Sequence, residues 1–181
     1  KSMLTQLDLV ATVLNDFQDD TKNLSDCVRG WLSLISNDNI SQDVREAIQL
    51  RFMKTVTTWH TLAYMLDNRD HTGWPQLPSD LAEQARVAII EMGDEAIHAM
   101  AAYEMKDESV YSKLAFSPTI KERMEPAKYW NYIARVTTAA ELKKFADMMA
   151  KVFAVPPSSA GIEDFWEGFL GGIFGRPTLC I

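Results

Sequence analysis

Apolar residues recur at steps of three and four along this chain, and no segment alternates apolar and polar residues between hairpin turns. A step of three or four returns to the same face of an α-helix, whereas a strand needs a step of two. The spacing therefore points to an all-α fold. Met3, Leu7, Val10, Leu14 and Phe17 make the first stripe, which ends in the polar run Gln18-Asp19-Asp20-Thr21-Lys22-Asn23. Val28, Trp31, Leu32 and Ile35 make the second, where Gly30 costs about 1 kcal/mol of helix propensity relative to Ala. Ser41 is a good N-cap for a long third stripe through Val44, Ile48, Phe52, Val56, Trp59, Leu62, Ala63 and Leu66. Read as one helix, that stripe runs roughly 25 residues, above the usual globular length.

Asn68-Arg69-Asp70-His71-Thr72-Gly73 breaks the period, and Pro75 and Pro78 keep the connection extended. Asp80 and Glu83 have the spacing of a capping box ahead of Leu81, Ala85, Ala88, Ile89 and Met92. Gly93 marks a kink or break before Ile97, Met100, Ala101 and Met105. Tyr111, Leu114 and Phe116 suggest a short helix, and Pro126 suits the first position of another carrying Tyr129, Trp130 and Ile133. Leu142, Phe145, Ala146, Met149, Val152 and Phe153 share a face that Pro156-Pro157 ends. Ser158 and Ser159 can cap a last helix with Ile162, Phe165, Trp166 and Phe169 on its apolar side. The expectation is an irregular multi-helix bundle of about six to eight helices, forming a single domain over residues 1–181.

Composition narrows the function classes. The chain is 47% hydrophobic and 24% charged, as a globular domain is, and 181 residues suffice for one sizeable core. A net charge of −7 argues against a broad phosphate-neutralising surface, so direct nucleic-acid binding is not expected. Cys27 and Cys180 are too few for a disulfide framework. No apolar run reaches the ~18 residues that a membrane span needs.

Motifs for catalysis are sparse. There is no Gly-x-Ser-x-Gly elbow, no phosphate loop and no dinucleotide glycine fingerprint. Glu95 and His98 share a helix face as a Glu-x-x-His pair. A di-metal bundle needs two such pairs and two further Glu residues, and this chain has one pair. A solvent-facing or core-satisfied His98 is the simpler reading, and no cofactor is expected. Asp67, Asp70 and His71 sit together where a cation or plain turn chemistry accounts for them. Met100, Met105, Met124, Met148 and Met149 suit an adaptable core. Trp31, Trp59, Trp130 and Trp166 fall on apolar stripes, as core residues or as anchors for a partner.

Two stretches resemble the C-terminal region of hAT-superfamily transposases. The stronger has Glu125-Pro126, Tyr129-Trp130, Leu142 and Phe145-Ala146, and continues from Val152-Phe153 through Pro156-Pro157-Ser158-Ser159-Ala160 to Glu163. The weaker is His60 to Arg69, similar to the family's Ala-x-x-Leu-Asp-Pro-Arg, with Asn68 in place of the Pro. The resemblance implies that residues 1–116 correspond to the end of a helical insertion domain, and 125–170 to a dimerisation region. It implies a nuclear transposition enzyme with three metal-binding acids, of which Glu163 matches the third. Nothing in this chain matches the first two, and Asp164 stands where the family has Arg. One carboxylate cannot assemble a two-metal site, so Glu163 reads as a vestige, a first-turn helix acid.

What the resemblance leaves is a helical association surface at Trp130, Leu142, Phe145, Ala146, Val152 and Phe153, with Trp166 as a further binding candidate. The same residues serve equally as an intramolecular core. The expected function is a non-enzymatic protein–protein interaction module, acting by self-association as a homodimer or by binding another protein. The alternatives are an effector-like regulator of a host protein, a carboxylate-bridged metalloprotein using Glu95 and His98, and a fragment of an active transposase. A retained family role would be nuclear, and a signal peptide removed upstream of Lys1 would mark a secreted protein.

Overall fold

A computed structural model describes residues 2–19, 21–69 and 77–157. Nine α-helices and one 3-10 turn form among the described residues, with no strand. They are α1 (Met3–Asp16), α2 (Leu24–Ile35), α3 (Gln42–Thr55), α4 (Thr58–Met65), α5 (Ser79–Glu91), α6 (Asp94–Glu104), α7 (Pro118–Arg123), α8 (Pro126–Val136) and α9 (Ala140–Phe153). The 3-10 turn is Lys113–Phe116, where a short helix was expected. Residues 158–181, with Glu163, Trp166 and the expected last helix, lie outside the described residues, as do Asp70 and His71.

The long third stripe divides in two. Thr55-Val56-Thr57-Thr58 is a run of four β-branched residues, which lose side-chain freedom against the preceding helical turn. Val56 and Thr57 are extended, and a new helix starts at Thr58. This division, together with α5 and α6 parting at Gly93 and the unanticipated α7, raises the helix number above six to eight. Gly93 has a φ of 96°, a left-handed conformation that other residues rarely adopt, so the glycine produces a full break. The Asp80–Glu83 box is not formed. The helix begins two residues earlier, at Ser79 after Pro78, which leaves Asp80 in the first turn as a dipole partner. Pro126 is at the first helical position of α8, and α9 ends before Pro156, as the sequence indicates.

α4 sits at the centre, against α2, α5 and α9. Residues His60 to Met65 are all buried, so this helix is enclosed on every side. α9 packs most extensively on α8 and also meets α6. α1 lies at the periphery on α2. Gly30 explains that contact: a Cβ there would stand 2.7 Å from Phe17 Cε1 and 2.9 Å from Val13 Cγ1. The missing side chain is the seat on which α1 rests, so its propensity cost is offset by docking. Gln6 adds a second tie, its Oε1 accepting the Ser41 backbone N–H at 2.7 Å. Among the described residues no helix is long and apolar enough to cross a membrane.

Candidate functional site

The residues that the transposase resemblance assigns to dimerisation are inside this chain. Trp130, Leu142, Phe145, Ala146, Val152 and Phe153 are all buried in the hydrophobic core. The Trp130 ring lies 4.9 Å from that of Tyr103 and 5.9 Å from that of Phe145, centroid to centroid. Its Nε1–H donates to the Leu66 carbonyl at 3.1 Å. Trp31 is buried as well, Trp59 is half-buried, and Met100, Met148 and Met149 join the core, whereas Met105 is exposed.

The weaker stretch of resemblance forms a polar hub at the end of α4. Asp67 is buried. Its Oδ1 accepts the Arg69 backbone N–H at 2.8 Å, which closes a tight turn. Its Oδ2 is 2.7 Å from Arg69 Nη2 and 3.1 Å from Arg29 Nη2 on α2. Arg69 Nη2 also reaches Asp26 Oδ1 at 2.7 Å, at the start of α2. Burial pushes the Asp67 carboxyl pKa up, but the hydrogen bond and charge of Arg69, with the charge of Arg29, overcome this and hold it below its ordinary value. Asn68 Nδ2 donates to the carbonyls of Lys121 at 2.7 Å and Met124 at 2.8 Å, at the end of α7. A Pro at this position, as in the family, would have no side-chain N–H to give. Leu66 to Arg69 thus tie α4 to α2, α7 and α8, one residue after another. Both Asp67 carboxylate oxygens are occupied by arginine, so among the described residues the hub acts as a structural joint.

His60 is the first of this stretch. Its Nδ1 accepts the Thr57 backbone N–H at 3.3 Å at the start of α4. Burial lowers its pKa to about 4, so it is neutral at physiological pH. Cys27 is buried and its thiol is pushed up to about 12 by burial, which leaves no thiolate for chemistry. Glu95 and His98 are both exposed on α6. Glu95 pairs with Lys144 at 3.8 Å across a cleft of about 560 Å³ between the start of α6 and α9. Among the described residues no group of three or more metal-ligating side chains comes together.

Large apolar side chains stay exposed on the outer side of α1, as they do at Leu50 and Met53 on α3 and at Val87 and Ile90 on α5. Leu4 is 73% exposed, Leu7 53% and Leu14 41%, with Met3 and Ala11 exposed beside them. The inward side holds Gln6, Leu9, Val10, Val13 and Phe17. The stripe read from the sequence therefore ran along the border of two faces. Val10 and Phe17 pack inward, while Met3, Leu7 and Leu14 face outward. The residues that complete the outer seam, Leu4 and Ala11, were missed. Their signal was a second 3-4-3 spacing, Leu4-Leu7-Ala11-Leu14, displaced by one residue from the inward set. Compared with protein-family models, curated proteins and solved structures, the chain has no match.

Proposed function

We propose that this chain is a non-enzymatic protein-association module of hAT-transposase descent, acting by self-association through the outer side of α1. The observation that carries it is one helix docked by one face with leucines at three turns of the other. Exposed apolar residues scattered singly are ordinary, but a contiguous apolar stripe on a small domain marks an interaction surface. The buried hub and the core at Trp130 support a scaffold role for the two stretches of family resemblance: they build the body that presents α1. The engagement of both Asp67 carboxylate oxygens by Arg69, with Arg29 beside them, supports a structural role for this stretch.

Light scattering after size exclusion, across a concentration series, tests the reading. The wild-type chain is expected to gain mass with concentration and Leu7→Asp to remain a monomer with unchanged helical circular dichroism. A wild-type chain that is monomeric at every concentration refutes self-association.

A further inference from the structure

We propose that His60 latches the junction of α3 and α4, and that its protonation in mild acid releases α3 while the other helices stay packed. The two helices are joined by the extended pair Val56 and Thr57, and His60 lies in the first turn of α4. Its imidazole reaches back over the junction. Nδ1 accepts the Thr57 backbone N–H at 3.3 Å and lies 2.8 Å from Thr57 Oγ1. Only the unprotonated nitrogen of a neutral ring can accept that N–H. A proton on Nδ1 turns the Thr57 hydroxyl into an acceptor and leaves the Thr57 N–H without its partner. It also sets a cation at the positive end of the α4 dipole. The ring is 4% exposed, so water does not solvate that charge. One movement relieves all three penalties: parting the end of α3 from the start of α4.

No neighbouring charge compensates for the proton. α4 packs against α2, α5 and α9. Asp26 and Arg29 of α2 are engaged in the hub with Arg69 and Asp67, past the far end of α4. On α5, Asp80, Glu83 and Glu91 share an open groove with Thr58, and Arg86 pairs with Glu83. Glu141, Lys143, Lys144, Asp147 and Lys151 of α9 are exposed, as are Arg51 and Lys54 of α3. Burial alone lowers the His60 pKa to about 4, with no part taken by any of these groups. α3 is the side that yields. It packs on α2 and buries only Ile48 and Phe52, whereas α4 is buried from His60 through Met65. With the ring at its ordinary 6.5 once the junction opens, the ratio of open to closed chains rises about 20-fold from pH 7 to pH 5. Asp67 stays ionised at pH 5, because its pKa is held below the ordinary carboxylate value, so the hub persists.

The test is amide hydrogen exchange on the full chain at pH 7 and pH 5, corrected for intrinsic rates, in wild type and His60→Asn. Asn offers Oδ1 to the Thr57 N–H and does not titrate. In wild type the α3 amides are expected to open more readily than those of α9 at both pH values, and about 20-fold more often at pH 5 than at pH 7. In His60→Asn the α3 opening should not change with pH. Imidazole 15N shifts of the wild-type chain, which need no variant to fold, should show Nδ1 unprotonated at pH 7. Any of four results overturns the proposal: α3 and α9 sharing one opening constant, an α3 constant equal at both pH values, a rise that persists in His60→Asn, or a ring protonated on Nδ1 at pH 7.

Discussion

Replacing Asp67 by Ala is expected to be among the most damaging single changes outside the apolar core. The carboxylate is buried and faces two cations, Arg29 at 3.1 Å and Arg69 at 2.7 Å. Removing one partner of a buried ion pair costs about 3–5 kcal/mol, since the other charge is left without compensation. Here the Arg29 side chain is 35% exposed and that of Arg69 27%, so water partly takes over. Arg69 also keeps Asp26. The loss therefore lies at the lower end, about 3 kcal/mol, or about 6–12 °C in Tm for a chain of this size. Asp26→Ala should cost only about 1 kcal/mol, because Arg69 retains Asp67. The acid side gives an internal check. Asp67 has its pKa held below the ordinary carboxylate value, so its stabilisation is complete above that value and is lost as pH falls below about 4. Urea titrations at pH 7 and pH 3 should show a gap between wild type and Asp67→Ala that narrows in acid. A variant within about 1 kcal/mol of wild type at pH 7 would refute the account of the hub as an ionic joint.

Three further outcomes follow from the same geometry. His60 has its pKa lowered from 6.5 to about 4, so it contributes stability that is full above 6.5 and lost between 6.5 and 4, by up to about 3 kcal/mol; urea midpoints of wild type should fall across that range and those of His60→Asn should not. Trp130→Ala should cost about 4 kcal/mol through the cavity and the orphaned Leu66 carbonyl, read by urea unfolding. The mass of its folded fraction should match wild type at the same concentration, because Trp130 is remote from the α1 seam. Gly30→Ala gains helix propensity but meets Phe17 and Val13, for a net loss of about 1 kcal/mol; hydrogen exchange should quicken in α1 and not in α9.

Periodicity made most of the helices legible, because α2, α8 and α9 each bury a single stripe that a step of three or four traces directly. It failed at Thr55 to Thr58, where a continuous stripe hid a change of backbone direction. β-branched residues set that boundary, and apolar spacing does not register them. It failed differently in α1, whose apolar residues occupy two adjacent faces; spacing alone does not say which face the body of the protein takes. Gly30 held the answer, but its part depends on which helix lies across it. The Asp67 hub was visible only as a polar turn. Its partners Arg29 and Asp26 are about forty positions away, a distance at which a sequence gives no sign of contact without the fold. Asn23, which caps α2 by accepting the Ser25 and Asp26 N–H groups, stood at the end of a run read only as polar.

The hub also dictates the order in which this chain can become a protein. Leu66 waits for the indole of Trp130, 64 positions on, and Asn68 for the carbonyls of Lys121 and Met124, more than fifty positions on. Closing such long loops must precede the contacts that reward it, which slows folding relative to a bundle of neighbouring hairpins. During synthesis the first half of the chain emerges with the Leu66 carbonyl and the Asn68 amide still without these partners and its core uncovered. The two stretches of transposase resemblance are thus one cooperative unit. A cut between them would yield two incomplete pieces, each holding the half that the other needs to fold.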